Sequence, residues 1–139
     1  MRRVIRRLAV SLAAIWISAA RHSAVAAPPD AAHGERVFQF CFACHSVNPA
    51  ETANLQGPSL YRVVGRPAAS LAGFDYSDAM KGRAASGLVW DEATLDAYVA
   101  DPESVVPGTR MSAPPVREAQ DRADLIAYLS RSGGYQPKR

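Results

Sequence analysis

The clearest periodicity lies near the end of the chain. Between Glu118 and Arg131, Ala123, Ile126 and Ala127 join Leu125, Tyr128 and Leu129 in a wide apolar face, and Gly133 follows, which predicts a helix with a glycine stop. Asp91–Ala100 predicts a second helix, with acids in its first turn that suit the macrodipole and Leu95, Tyr98 and Val99 along one face. Pro102 ends it. A third helix is expected over Gly34–Ala43, where Val37, Phe38 and Cys41 share a face. Gly34 lowers helix propensity there, which fits either a close helix crossing or simple helix-end chemistry. Shorter helical turns are expected between Gly57 and Gly65 and over Tyr76–Arg83. The stretches between are polar or rich in glycine and proline, above all Val105–Val116, which reads as an irregular but stiff loop. Nothing in the pattern looks like sheet, and the fold class expected is all-α.

The other long apolar stretch, Leu8–Ala20, is of a different kind. Met1-Arg2-Arg3-Val4-Ile5-Arg6-Arg7 precedes it and Ala24-Val25-Ala26 follows, the basic, apolar and small-residue order of a secretory signal. The run is short of the ~20 residues a spanning helix needs. Residues 1–26 are therefore expected to be removed, leaving one domain over 27–139, with periplasmic localisation.

This division changes the charge. The full chain carries +3, but five arginines and no acid lie in residues 1–26, so the mature chain has 11 basic against 13 acidic residues and a formal charge of −2. No nucleic-acid partner is inferred from the basic precursor. The 113 remaining residues bury a limited core by themselves, and a bound macrocycle would supply apolar interior.

The candidate chemistry sits in Cys41-Phe42-Ala43-Cys44-His45. A C-x-x-C-H run is the attachment signature of a c-type haem. Residues three and four apart share a helical face, so both thiols and the imidazole can address one flat ring. The thiols become thioethers and His45 the proximal iron ligand. These are the only two cysteines, so one haem c is expected. A thioredoxin-like C-x-x-C wants a βαβ setting, which is missing, and a structural zinc site wants four ligands, which the composition does not offer. Spacing alone leaves two candidates, Met80 and Met111, for an iron ligand on the opposite side, since methionine is more often a core filler.

From Gly34 to Arg131 the chain resembles class I cytochromes c of the mitochondrial and bacterial c2 type. The resemblance runs through Cys41–His45, Gly57-Pro58-Ser59-Leu60, Gly65-Arg66, Phe74–Ala79, Trp90, Pro107-Gly108-Thr109-Arg110-Met111 and Arg122–Leu129, in that order. It implies a small single-domain fold wrapped around one haem, with Met111 as the second iron ligand and the Pro58 carbonyl accepting from His45. It also implies that Arg66, Tyr76 and Trp90 help bury the haem propionates, with Thr109 near one of them, and that Tyr98 lies near the methionine sulfur. Trp90 and Tyr98 fit ordinary core packing equally well. Gly34 and Phe38 would cross against Leu125 and Tyr128.

Three departures from the family pattern stand out. Met111 is followed by Ser112-Ala113-Pro114-Pro115 in place of a bulky residue, an aromatic, Ala and Gly. The family's lysine-rich docking face is reduced, in the mature chain, to Lys81 and Lys138. Phe40 and Phe42 either form an apolar patch beside the haem edge or turn inward. What the resemblance implies is a monomeric, non-enzymatic electron carrier between membrane or periplasmic redox proteins. The donor would be a bc1-type complex or a dehydrogenase, and the acceptor a terminal oxidase or reaction centre. The alternative is a haem enzyme or a sensor of peroxide, NO or CO with labile methionine ligation, which the residues after Met111 motivate.

Overall fold

In a computed structural model, residues 27–50 and 55–131 are described. The expected signal, residues 1–26, lies outside them, as do Gly133 and Lys138. Five helices follow one another: α1 (Ala31–Phe38), α2 (Asp78–Ala85), α3 (Glu92–Ala100), α4 (Pro102–Val105) and α5 (Ala119–Ser130). None of the helices among the described residues is long and apolar enough to cross a membrane.

The frame is the crossing of α1 and α5. A Cβ on Gly34 would stand 1.9 Å from the Asp124 carbonyl oxygen and 2.9 Å from the Leu125 nitrogen, so glycine is what lets the two backbones meet. The crossing reading of Gly34 is therefore the one the structure supports. Phe38 packs on Tyr128 with ring centroids 5.4 Å apart, and Val37, Leu125, Ile126 and Leu129 fill the seam. Polar bonds lock its edge. The buried Asp124 carboxylate accepts from the Asp30 main-chain N–H at 2.7 Å and from Gln120 at 2.9 Å, and lies 2.8 Å from His33 Nδ1.

Several boundaries differ from the sequence reading, each for a local reason. α1 starts at Ala31, not Gly34, because Asp30 caps it by accepting from Ala32 N–H at 2.8 Å. It stops at Phe38, after which Gln39, Phe40 and Cys41 donate to the carbonyls three residues back and tighten the chain into turns. The stretch from Gly57 to Gly65 forms turns instead of a helical segment. Pro102 opens the one-turn α4 as well as ending α3, since a proline at the first helical position lacks only an N–H that would be unbonded anyway. A small sheet is also present. β1 (Arg66–Pro67) pairs antiparallel with β2 (Val89–Trp90), with Arg66 opposite Trp90. Two residues per strand are too few to show any alternation, so no pattern revealed it.

Candidate functional site

The turn after α1 carries the cysteines. Cys44 and His45 both donate their N–H to the Cys41 carbonyl at 3.0 Å, so the C-x-x-C-H run is wound as one turn. That winding brings Cys41, Cys44 and His45 to the wall of one cleft of about 520 Å³. The same cleft is lined by Pro58, Arg66, Tyr76, Trp90, Tyr98, Thr109 and Met111, so all ten candidate site residues meet there although they span 71 positions of the chain. Its volume lies within the range of small-molecule and cofactor sites. Leu60, Val63, Leu95, Leu125 and Leu129 complete an apolar wall.

His45 is held on two sides. Its Nδ1 lies 2.7 Å from the Pro58 carbonyl oxygen, which can only accept, so Nδ1 carries the proton and Nε2 keeps the lone pair. Burial pulls its pKa below the ordinary imidazole value and the Arg66 charge acts in the same sense, while the Pro58 bond opposes them. A neutral ring with a free Nε2 is the form a metal needs. Against its flank sits Gly57, where a Cβ would come within 2.2 Å of His45 Cε1. Gly57 N–H donates to the Cys44 carbonyl at 2.8 Å, tying this strap back to the cysteine turn. No disulfide joins the two cysteines, and burial, followed by the Cys44 charge, pushes the Cys41 thiol up.

The loop bearing Met111 is organised by Thr109. Its hydroxyl lies 2.7 Å from the Tyr98 hydroxyl and accepts from Met111 N–H at 3.2 Å, so Tyr98 on α3 fixes the approach to Met111. Burial pushes the Tyr98 pKa up, keeping the hydroxyl protonated for this bond. Trp90 packs behind, its ring 4.9 Å from Tyr98. Arg66 is buried, donating to the carbonyls of Ser59 at 2.8 Å and Tyr61 at 3.2 Å, and its charge is felt by Tyr76, although burial dominates in raising the Tyr76 pKa. Met80 also lines the cleft, from α2. Both methionines are therefore at hand, and lining alone does not separate them.

Some contributors carried no local signal. Asp75 pairs with Arg110 at 3.6 Å and with Lys81 at 3.6 Å, and the Arg110 guanidinium also donates to the Asp75 carbonyl. This links the residue next to Met111 with the chain entering α2, 35 residues away. Charged residues at such separations have no pattern to betray them.

The cleft fits a macrocycle attached at Cys41 and Cys44: its wall is apolar, its imidazole is neutral and oriented, and Gly57 leaves the ring its room. Comparisons with known proteins agree. The cytochrome c family model matches residues 31–132. Cytochrome c2 of Rhodomicrobium vannielii is 46% identical over 125 residues, 90% of this chain and 93% of that protein. Cytochrome c2 of Blastochloris viridis is 43% identical over 108 residues, covering 78% and 82%. Among solved structures, cytochrome cH from Methylobacterium extorquens superposes with a TM-score of 0.66 at 42% identity, covering 73% of this chain and 98% of that one.

Proposed function

We propose a function from a fixed premise: the chain belongs to the cytochrome c family. It carries one covalently attached haem c and transfers electrons rather than catalysing a substrate reaction. Bound in the cleft, haem c supplies a one-electron ferric/ferrous couple. The rest is the work of the chain's own side chains. Cys41 and Cys44 would anchor the group as thioethers, and His45 Nε2 and the Met111 sulfur would hold its iron. The Pro58 bond keeps the imidazole from turning, and the Thr109–Tyr98 bond keeps the Met111 segment in place. Ligands fixed in this way move little when the charge changes. The apolar wall would keep water from the bound group and disfavour extra positive charge there, which together with a methionine ligand would raise its potential.

The observation that carries this reading is the convergence of all ten residues on one cleft, with His45 already oriented. In the same reading residues 1–26 are cleaved, the mature protein begins at Ala27 in the periplasm as a monomer, and electrons pass between larger redox proteins. The donor is of the bc1-complex or dehydrogenase kind, and the acceptor of the oxidase or reaction-centre kind. The test is to express the full chain in cells that attach haem c and to fractionate them. The reading expects periplasmic protein starting at Ala27, with haem that resists acidified acetone and is lost in Cys41→Ser/Cys44→Ser. Membrane retention with residues 1–26 in place would overturn the localisation, and extractable haem would overturn the attachment.

A further inference from the structure

We propose that this chain docks its redox partner through the exposed pair Phe40 and Phe42, and that the matching face of the partner is apolar and uncharged rather than acidic. The proposal rests on the reading that electrons pass at the cleft mouth beside Cys41 and Cys44. Phe40 is 81% exposed and Phe42 65%, while the next most exposed large hydrophobic residue among those described, Val89, reaches only 37%. The two rings flank Cys41 in the chain, and Phe40 itself lines the cleft. They are the two most exposed large hydrophobic residues among those described, and exposed apolar surface of this kind beside a site marks an interaction surface.

The charges nearby point the same way. Lys81, the only lysine among the described residues, lies 3.6 Å from Asp75 and 3.9 Å from Asp78. Arg110, on the cleft wall, is paired with the same Asp75, and Arg66 is buried and spent on carbonyls. A partner presenting a ring of carboxylates would find these cations already matched by acids or carbonyls of this chain. Long-range steering needs unmatched charge of one sign, and neither arginine of the cleft wall supplies it, so what the wall itself offers a partner is short-range contact with the two rings. Transient electron-transfer complexes bury little surface, so two exposed rings suffice as the centre of one.

The test uses the haem-loaded mature protein on gold electrodes coated with either a methyl-terminated or a carboxylate-terminated monolayer, as stand-ins for the two kinds of partner face. Wild type is expected to exchange electrons faster on the methyl layer, changing less than about twofold between low and physiological salt. Phe40→Ser/Phe42→Ser should slow exchange on that layer by about tenfold with its absorption spectrum unchanged. Phe40→Lys/Phe42→Lys should instead shift the preference to the carboxylate layer and make it salt-sensitive. An unchanged rate in the serine variant would overturn the proposal while the redox wave upholds the carrier reading. So would a wild-type preference for carboxylate with steep salt dependence. A wild-type dimer in sedimentation that the serine variant loses would make the patch a self-interface and overturn it too. No wave on either layer would overturn both readings together.

Discussion

The two walls of the cleft are held by different kinds of bond. On the His45 wall the groups that meet the ring and the cysteine turn are main-chain: the Pro58 carbonyl on Nδ1, the Gly57 backbone against the ring, and Gly57 and Leu60 N–H donating to the Cys44 and Ser46 carbonyls, with the Arg66 side chain bracing the strap from behind through Ser59 and Tyr61. On the Met111 wall they are mostly side chains. The Tyr98 and Thr109 hydroxyls meet, Glu103 accepts from Gly108 N–H at 2.9 Å, and Arg110 leans on an Asp75 that is 85% exposed. Main-chain partners cannot rotate away, whereas a hydroxyl pair or an exposed ion pair can dissociate at modest cost. Rigidity therefore lies on the histidine side and any opening of the site on the methionine side. The missing aromatic at Ala113 lies on that same weaker wall.

The sharpest way to break this asymmetry is Gly57→Ala. With a Cβ meeting the His45 ring at 2.2 Å, either the imidazole or the strap must shift. The expected cost is about 3 kcal/mol, the upper range for overpacking. It is read as a lowered thermal midpoint and a disturbed haem spectrum, and a variant as stable as wild type would show that the histidine wall is soft.

A second test acts on the α1–α5 seam from which the histidine wall hangs. The Asp30 N–H, then Gln120 and His33, hold the Asp124 carboxyl below the usual carboxylate range against the opposing effect of burial. A depressed folded value means that Asp124 stabilises the fold above its unfolded pKa and that this contribution is lost as pH falls through the lower folded value. Unfolding of wild type should therefore ease on acidification in that window. Asp124→Asn should be less stable at neutral pH and lose that part of the slope.

How far the sequence foretold these walls differs between them. The histidine wall was legible, since Cys41, Cys44 and His45 form a local signature and the Gly57–Pro58 strap belongs to a recognisable ordered series. Gly34 and Phe38 against α5 followed from the same series. The bonds that hold the methionine wall were not legible: Asp75 with Arg110 and Glu103 with Gly108 are contacts of polar residues whose spacing has no period. α1 starts three residues ahead of Gly34 because the Asp30 cap sets its first turn, and a cap of one residue has no periodicity to show. The β1–β2 ladder is invisible in the sequence because two residues per strand leave no alternation. The orientation of Phe40 and Phe42 is open in the sequence because an aromatic ring beside a turn can face either way, and in the fold both are exposed.

Two smaller effects sharpen the contrast. Tyr98→Phe removes the 2.7 Å bond to Thr109 and should cost about 1 kcal/mol. Its more telling consequence is tighter binding of added imidazole to the ferric protein, because the Met111 segment loses a tether. No change in imidazole affinity would mean that the hydroxyl pair does not hold Met111. Asp75→Asn frees Arg110 and Lys81 of their shared acid, but the pairs are exposed, so the expected loss is no more than about 0.5 kcal/mol in chemical unfolding. A larger loss would make this ion network a principal support of the methionine wall.

The measurement that bears most directly on the site is the ferric absorption spectrum of the haem-loaded protein, compared across wild type, Met111→Leu and Met80→Leu. The weak far-red charge-transfer band of a methionine–iron bond is expected in wild type and in Met80→Leu and should vanish in Met111→Leu. Loss of the band in Met80→Leu alone, or its absence from wild type together with rapid binding of added ligands, would contradict the pairing of His45 with Met111.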